Sequence, residues 1–470
     1  MTDESLPELT KAKIPPQTHI LRMEERLAKG KELRGVTSRK AQAEWKPPAD
    51  RPDPVDTLIE NSQGRVEELI PIRYGRMMAS PFAFYRGGAA IMAYDLAHTP
   101  STGLTLMADG DCHLVNFGGF ATAERKVIFD LNDFDEASFA PWEWDVKRLT
   151  ASFVVAGRSN GFAPADSREA AWLAAQSYRQ QMAEYAGMPV LQVWNQSFDL
   201  NTIIENTTDK ETKRFYAKKL TSVTEQSAHE KEFAKLTFSA GDSPRIVDHP
   251  PLIFHYGDNR DEELRRIAKK SLVDYRKTLI PARRLLLDRF ELVDYAIKVV
   301  GVGSVGTLCG ILLLMSGNGD PLFLQFKQAR QSVLEPYCGL SPFGHAGERV
   351  VAGQRTMQAA SDIFLGWTTG AGKGKLQFFL RQLSDAKIKP VIEIMKEANL
   401  KGYAGLCGRA LARAHARSGD AAVLTGYMGK STAFEDALAD FSVAYADQNE
   451  KDHAALLAAI RAGRIEAQTE

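Results

Sequence analysis

The most constraining feature of this chain is a set of polar residues at fixed intervals beside two short apolar runs. Asn116 follows Asp111 by five positions, and Asp133 comes after a second apolar run. The runs at 104–109 and 126–131 have the composition of short β-strands, so the polar residues are predicted to lie in the loops that these strands frame. The intervals therefore predict one polar site built around a small pair of strands.

A glycine-rich segment lies far downstream and contains Gly301, Gly303 and Gly306, with Ser304 among them. Glycine allows backbone amides to approach a phosphate closely. The same spacing occurs in dinucleotide-binding folds, but those require a helix directly after the loop. Here a strand is predicted after the loop, so we expect the segment to cover a nucleotide from a β-hairpin.

The residues after this loop alternate between strand and turn signals. Strands are predicted at 296–300, 308–315 and 321–327, with a tight turn at 316–320 between the last two. Lys327 ends the third strand. A lysine at this place after a glycine loop is a candidate to contact phosphates, although a lysine at a strand end is also a common solvent-facing residue.

Together these residue types fit the demands of phosphoryl transfer from ATP. The transferred group carries dense negative charge and needs Mg²⁺, a lysine on the phosphates and a carboxylate beside the acceptor. In this scheme Asp111 orients or deprotonates the acceptor hydroxyl. Asn116 and Asp133 hold the metal ion, and Lys327 contacts the phosphates.

An acidic residue on a neighbouring helix is expected to fix Lys327. Glu348 is 21 residues downstream, at the start of a predicted helix, and Glu335 is a nearer alternative. Glu348 is slightly favoured. An alternative for the first loop is a metallophosphatase-like cluster that starts at Asp111 and His113, but the chain has only nine histidines and lacks the further motifs of such a cluster.

Composition sets broader limits. The chain has 470 residues with 59 basic and 59 acidic side chains, so no net charge favours nucleic acid or an anionic membrane. The acidic N-terminus lacks an apolar segment and no run is long enough to span a membrane, so we expect a cytoplasmic protein. Cys112, Cys309, Cys338 and Cys407 are widely spaced, which favours free thiols.

The patterns divide the chain into four regions. Residues 1–55 are a polar, proline-containing extension that is expected to dock loosely. Residues 56–290 form a catalytic region, 291–395 a glycine-loop region and 396–470 helices that complete the catalytic lobe. Helical spacing is found at 348–365, 376–399 and 400–417, and a further helix that carries Asp145 is predicted to begin after Pro141.

Two resemblances rest on these motifs. The segments 110–116, 133–135 and 144–149 resemble the catalytic core of aminoglycoside phosphotransferases and choline-kinase-like enzymes, with Asp109 where that family usually has His. The chain also resembles, over nearly its full length, the bacterial domain of unknown function 2252 through segments such as 76–87 and 301–307. The first resemblance implies a two-lobed, protein-kinase-like α+β fold with a small antiparallel-sheet lobe and a larger helical lobe.

The order of the motifs implies that this fold is circularly permuted, because the catalytic loop precedes the glycine loop. A linear order would place the catalytic aspartate at Asp420, but residue 425 is Thr and no Asp-Phe-Asp follows. In the permuted order, the helix at 411–417 precedes the catalytic loop. Nearby chain termini make such a permutation tolerable.

Three functions follow as alternatives. The first is ATP- and Mg²⁺-dependent phosphoryl transfer to a small-molecule or protein hydroxyl, the second is AMP transfer from the same site, and the third is a nucleotide-binding pseudokinase scaffold. The acceptor is not specified by any motif. The segment 80–87, with Phe82, Phe84, Tyr85 and Arg86, either lines an acceptor pocket or braces the catalytic loop.

Overall fold

A six-stranded antiparallel sheet and a large group of helices form an α+β fold, which confirms the predicted class. The computed structural model describes residues 20–224, 233–240, 243–257, 259–299, 301–303, 305–371, 374–383 and 387–469. Ser304, one of the predicted nucleotide-binding residues, lies outside them.

The helices cluster in the catalytic and C-terminal regions of the sequence. Their bounds are α1 (Met23–Glu32), α2 (Pro54–Ser62), α3 (Ile70–Met78), α4 (Pro81–Gly87), α5 (Ala89–Ala97), α6 (Trp142–Ser159), α7 (Pro164–Ala186), α8 (Val190–Trp194), α9 (Leu200–Glu205), α10 (Lys210–Thr224), α11 (Asn259–Thr278), α12 (Pro281–Leu287), α13 (Glu335–Cys338), α14 (Ala346–Met357), α15 (Glu397–Ala416), α16 (Ala421–Met428) and α17 (Ala433–Arg461).

The strands form one large sheet and three small ones. Their bounds are β1 (Thr105–Ala108), β2 (Phe117–Ala121), β3 (Val127–Leu131), β4 (Ser138–Pro141), β5 (Phe198–Asp199), β6 (Thr237–Ala240), β7 (Ser243–Ile246), β8 (Ile253–Phe254), β9 (Phe290–Lys298), β10 (Cys309–Ser316), β11 (Pro321–Gln328), β12 (Gly366–Thr369) and β13 (Gln377–Gln382). The large sheet has the order β12-β13-β11-β10-β9-β8, and the small sheets are β1-β4, β2-β3-β5 and β6-β7.

The large sheet is built from the strand-turn-strand pattern that the sequence predicts. β9, β10 and β11 lie side by side, and Lys327 of β11 pairs in register with Cys309 of β10 and Phe379 of β13. Apolar side chains of α11 cover one face of this sheet, where Tyr275 and Leu279 belong to the same cluster as residues of β10 and β11. Because β8 and α11 belong to it, this unit starts before the predicted boundary at residue 291.

The predicted helix at 376–399 is wrong over its described residues before Glu397, where α15 begins. Residues Gln377–Gln382 form β13, and Leu380 pairs with Phe326 on one side and with Gly366 on the other. A strand between two others has its backbone groups in two ladders, and this tertiary pairing overrides a local helical spacing. The helix predicted at 348–365 exists as α14 but ends at Met357, whereas the helix predicted at 400–417 is confirmed as α15.

The two small sheets around residue 111 have the frame that the sequence predicts. The two predicted strands exist as β1 and β3 but lie in different sheets, because β1 pairs with β4 and β3 pairs with β2. The polar loops are the connections from β1 to β2 and from β3 to β4. Behind them, a fully buried ion pair joins Arg413 of α15 to Asp130 of β3 at 2.5 Å. Trp142, at the start of α6, stacks on Tyr178 and Phe434 with ring centroids 5.9 and 5.5 Å apart. These contacts make the helical core a rigid base for the loops.

The described part of the N-terminal extension docks tightly, contrary to the expected loose docking. The Nε and an Nη atom of Arg34 in the extension donate to carbonyl oxygens at the end of α16, the Nε bond being 2.9 Å long to Tyr427. Arg51 forms ion pairs with Asp95 of α5 at 2.7 Å and with Asp452 of α17 at 2.6 Å. The polar composition did not predict this docking, because arginine side chains make its contacts.

Two further expectations concern the chain as a whole. Cys112, Cys309, Cys338 and Cys407 are free thiols, as predicted. Within the described residues, no helix combines the length and the apolar character that crossing a membrane requires.

Replacing Arg51 tests whether the extension is part of the fold. Arg51→Gln leaves the buried carboxylates of Asp95 and Asp452 without their cation, so we expect the free energy of unfolding to fall by about 3–5 kcal/mol. Urea denaturation measures this change. Arg22→Gln is the matched control, because the Arg22 side chain is 83% exposed, and its effect should stay within about 0.5 kcal/mol. Equal effects of the two substitutions would contradict tight docking.

Candidate functional site

The loop after β1 begins with a backbone turn that requires glycine. Gly110 has φ of +81°, and a Cβ at this position would lie 2.6 Å from the carbonyl oxygen of Glu136. The loop of residues 109–116 is therefore pressed against the segment of residues 133–136, named here the acidic loop. This close approach brings two stretches that are separated in sequence into one site.

Asp145 holds the backbone of the first loop from below. Its carboxylate accepts hydrogen bonds from the amides of Asp109 at 2.6 Å and Gly110 at 2.9 Å. His415 of α15 lies 3.1 Å from the same carboxylate, and the other nitrogen of its ring lies 2.9 Å from the Tyr178 hydroxyl. Asp145 is buried and used in these contacts, so it positions the loop.

Asp111 lies at the surface of the cleft and is held by an arginine that the sequence analysis missed. The Arg148 Nε atom donates to Asp111 Oδ1 at 2.8 Å, and an Nη atom makes a second contact with the same oxygen. Arg148 follows Asp145 by three residues, so both project from one face of α6. That spacing is the signal by which Arg148 could have been found.

Tyr85 of α4 completes the support of Arg148. Its ring centroid is 4.7 Å from the guanidinium carbon, and its hydroxyl donates to the Arg148 carbonyl oxygen at 2.7 Å. Phe82 and Phe84 of the same segment are buried in apolar clusters, whereas Arg86 faces the cleft. The segment 80–87 therefore braces the loop through Tyr85 and lines the cleft through Arg86.

Burial raises the pKa of Asp111 to about 7, although the neighbouring charge of Arg148 acts to lower it. A carboxylate in this range changes its protonation state near neutral pH. Such a group is suited to accept a proton from a hydroxyl and to release it again.

Asn116 and Asp133 lie where a metal ion could be held. The Asn116 Nδ2 atom donates to the Asp111 carbonyl oxygen at 2.6 Å, which leaves its side-chain oxygen as the atom available for a ligand. The Asn116 carbonyl accepts from the amide of Asn132, the residue before Asp133. The Asp133 Oδ1 atom is buried without a hydrogen-bond partner. An amide oxygen and an orphaned carboxylate oxygen suit a hard cation such as Mg²⁺.

Lys327 is buried and reaches the acidic loop from the large sheet. Its Nζ atom lies 2.6 Å from Asp135 Oδ2 and 3.6 Å from Asp133 Oδ1. Burial acts to lower the pKa of Lys327, but the charges of the two aspartates raise it above its ordinary value. The lysine is therefore held as an ammonium ion against the acidic loop.

The expected glutamate partner of Lys327 is replaced by Asp135. Glu335 Oε1 lies 3.5 Å from the Nε atom of Arg349 instead. Glu348 is in the first turn of α14, beside His345, and among the described residues it forms no ion pair with Lys327. The helix spacing placed Glu348 correctly in α14, but the adjacent residue Arg349 is the one that points to the acidic loop, where it donates to the Asp135 carbonyl at 2.7 Å.

The two aspartates titrate differently because they share one lysine. Burial and the charge of Asp133 raise the pKa of Asp135. Burial also acts to raise the pKa of Asp133, but Lys327 and Arg381 hold it below its ordinary value. Asp133 is therefore the carboxylate that stays ionised, as a metal ligand must.

The glycine loop is attached to the helical part of the molecule through its carbonyl oxygens. Arg76 donates to the Gly301 carbonyl, and Arg65 donates to the Gly303 carbonyl at 2.8 Å. The Gly306 carbonyl accepts from the amide of Val66 at 2.7 Å, and the positive φ of Gly306, +85°, allows this turn. The loop therefore lies directly above the cleft.

One cleft of about 800 Å³, including its open mouth, collects most of these groups. Asp111, Asp133, Asp135 and Gly303 line it. Lys327 joins them through its ion pair with Asp135, whereas Glu348 does not line this cleft. The basic part of the lining consists of Arg65, Arg73, Arg86 and Arg330, of which the sequence singled out only Arg86.

The chain belongs to the bacterial family described as uncharacterized protein conserved in bacteria (DUF2252), whose family model matches residues 65–459. This match includes both sides of the cleft, from the loop of residues 109–116 to the glycine loop. No curated protein and no solved structure matches the chain.

The raised pKa of Asp111 predicts how the free energy of unfolding changes with pH. Because the pKa of Asp111 is raised from 3.8 to about 7 in the folded protein, its protonated form is favoured by folding, and this stabilisation is lost as pH rises from about 4 to about 7. The wild type should therefore lose up to about 4 kcal/mol of unfolding free energy relative to Asp111→Asn across this range.

Urea denaturation at a series of pH values measures this difference. The matched control is Asp440→Asn, which removes an exposed carboxylate of α17 that pairs with Arg168. A stability difference between wild type and Asp111→Asn that does not change between pH 4 and 7 would contradict the raised pKa.

Proposed function

We propose that this member of the DUF2252 family transfers a phosphoryl group from ATP to a hydroxyl acceptor, with Mg²⁺ as cofactor. The observation that carries the proposal is the contact between Lys327 and the acidic loop. Lys327 lies on the third strand of the strand–glycine loop–strand–strand unit, and the acidic loop follows Asp111 in the chain. Phosphoryl transfer needs little covalent chemistry from the protein and depends on positioned charges. The cleft supplies charges of both signs around one space.

Support for the nucleotide site comes from the order of elements in the large sheet. β9 leads into the glycine loop, β10 follows it, and β11 carries Lys327. In protein kinases a glycine-rich loop covers the phosphates and the lysine comes from the third strand. In the proposed complex, the phosphates of ATP take the place of Asp135 at Lys327, because they carry more negative charge than one carboxylate.

Support for the metal comes from Asn116 and Asp133. Mg²⁺ retains several water molecules and is usually held by one or two carboxylates together with substrate phosphates. Among the described residues, no group of three or more His, Cys, Asp or Glu side chains is arranged as a metal site. The proposed ion therefore binds together with the nucleotide, and Mg²⁺, when bound, neutralises charge that develops on the phosphates.

Support for the acceptor side comes from Asp111. A pKa near neutrality lets this carboxylate take the proton of the acceptor hydroxyl as the new bond to phosphorus forms. Arg148 fixes its orientation, and Asp145 fixes the backbone from which it projects. Asp111 is thus the base, Arg148 is the cation that orients it, and Asp145 anchors the loop backbone.

The proposed arrangement is a two-lobed, kinase-like site in a permuted order. The helical lobe contributes the loops of residues 109–116 and 133–136, and the sheet lobe, which follows it in the chain, contributes Lys327. One feature departs from the kinase scheme, in which a helix glutamate pairs with the lysine. Here Arg349 of α14 instead donates to the backbone of the acidic loop. The helix therefore positions Asp135, which is the partner of Lys327.

Ligand-linked stability tests the proposal. We expect ATP with Mg²⁺ to stabilise the wild type by about 2.7 kcal/mol at a hundred times the dissociation constant, and Asp133→Ala to lose most of this gain because it removes the metal ligand. Thermal unfolding with and without ATP and Mg²⁺ measures the change within each variant. Asp440→Ala, far from the cleft, should respond like the wild type.

A product assay run beside these measurements identifies the reaction. Release of ADP supports phosphoryl transfer, and AMP attached to a target supports adenylyl transfer from the same site. An absence of stabilisation by ATP with Mg²⁺ at millimolar concentration, or equal stabilisation of Asp133→Ala, would contradict the proposal.

A further inference from the structure

Arg86 places a cation at the cleft. It lies in the last turn of α4 and lines the cleft. Its Nε atom is buried without a hydrogen-bond partner, and within the described part of the chain the guanidinium forms no ion pair. The carboxylates whose charges act on it are Glu393 and Asp111, and neither is bonded to it.

Three more arginines line the same cleft and are fixed by one residue, Asn61. Arg65 and Arg73 donate to the Asn61 side-chain oxygen at 3.1 and 3.2 Å. Arg330 donates to the Asn61 carbonyl oxygen at 3.0 Å. We call these four residues, Arg65, Arg73, Arg86 and Arg330, the arginine cluster.

The positive charge of the arginine cluster is not neutralised by ion pairs within the described residues. Arg65, Arg73 and Arg330 donate to neutral oxygens, mostly of the backbone. Burial lowers the pKa of each, and the charge of Arg330 lowers those of Arg65 and Arg73 further. The carboxylate of Glu136 acts on Arg65 and Arg330, but within the described residues it forms no ion pair with either. Four guanidinium groups that line one cleft with so little compensating charge are costly in a free protein. A bound anion removes that cost.

The geometry points to a phosphate-binding subsite. We propose that Arg86, supported by the other three members of the arginine cluster, binds a phosphoryl group carried by the acceptor. The planar guanidinium matches phosphate oxygens with two parallel hydrogen bonds. The assignment of this phosphate to the acceptor rests on the proposed function, in which Asp111 lies beside the acceptor hydroxyl.

The acceptor is a better source of this phosphate than the nucleotide. Lys327, Asp133 and the glycine loop already provide a lysine, a metal ligand and backbone groups for the phosphates of ATP. Arg86 instead follows Tyr85, which supports the Arg148–Asp111 pair, and the charge of Asp111 acts on Arg86. The acceptor is therefore a phosphorylated compound with a free hydroxyl.

The subsite can be tested with inorganic phosphate as the probe. Calorimetric titration measures binding of phosphate to the full-length protein with and without saturating non-hydrolysable ATP analogue and Mg²⁺. The titration with the analogue bound reports this subsite alone. We expect phosphate to bind in both conditions. Arg86→Gln should weaken phosphate binding about tenfold to a hundredfold, since one charge-assisted contact is lost, while the affinity for the ATP analogue stays within about twofold.

Two further variants help to separate a loss of phosphate binding from a loss of folding. Arg86→Lys retains the charge but not the planar donor pair, so it should fall between wild type and Arg86→Gln. Arg266→Gln is the matched control, because the Arg266 side chain is 71% exposed on α11, and it should bind phosphate like the wild type. Thermal unfolding without ligand shows whether each variant is folded.

The outcomes separate this inference from the proposed function. Phosphate binding that depends on Arg86, without any binding of the ATP analogue, would keep the phosphate subsite and overturn both the kinase-like activity and the acceptor assignment. Competition between phosphate and the ATP analogue, with both weakened by Arg86→Gln, would assign the arginine cluster to the nucleotide and overturn the acceptor subsite. Phosphate binding that is absent, or unchanged in Arg86→Gln, would also overturn it.

Discussion

The ion pair between Lys327 and Asp135 is the contact on which the arrangement of the cleft depends. Lys327 is buried on the central strand β11, and the aspartate belongs to the loop that joins β3 to β4 in the helical region. A buried ammonium ion without a partner is strongly destabilising, by about 3–5 kcal/mol, so the large sheet cannot move far from this loop. Arg349 of α14 and Arg65 beside the glycine loop add two further connections between the same parts. The glycine loop and Asp111 therefore face one space.

The cleft collects charges of both signs. Asp111, Asp133, Asp135 and Glu136 line it together with the arginine cluster. A metal ion is bound by carboxylates, whereas phosphates are bound by cations, so this lining suits a metal-bound nucleotide and a second anionic compound. This combination of charges supports phosphoryl transfer to a phosphorylated acceptor, and it links the proposed function to the further inference.

The sequence predicted the parts of this site that are local in the chain. The strands β10 and β11, the turn between them and the frame of the loop at 109–116 follow from apolar alternation and turn residues within about ten positions. The parts that depend on distant residues were missed or wrong. Asp135 rather than Glu348 pairs with Lys327, because the sheet places the lysine over the acidic loop. Arg148, the arginine cluster and strand β13 are likewise defined by tertiary contacts.

The central claim is that one nucleotide binds between Lys327 and the loops of the helical region. A crystal structure with a non-hydrolysable ATP analogue and Mg²⁺ at saturating concentration tests it most directly. The account predicts phosphates at Lys327 beneath the glycine loop and a metal ion at Asn116 and Asp133, with Lys327 no longer bonded to Asp135. A nucleotide bound elsewhere, or a Lys327–Asp135 pair that is intact beside an occupied cleft, would contradict it.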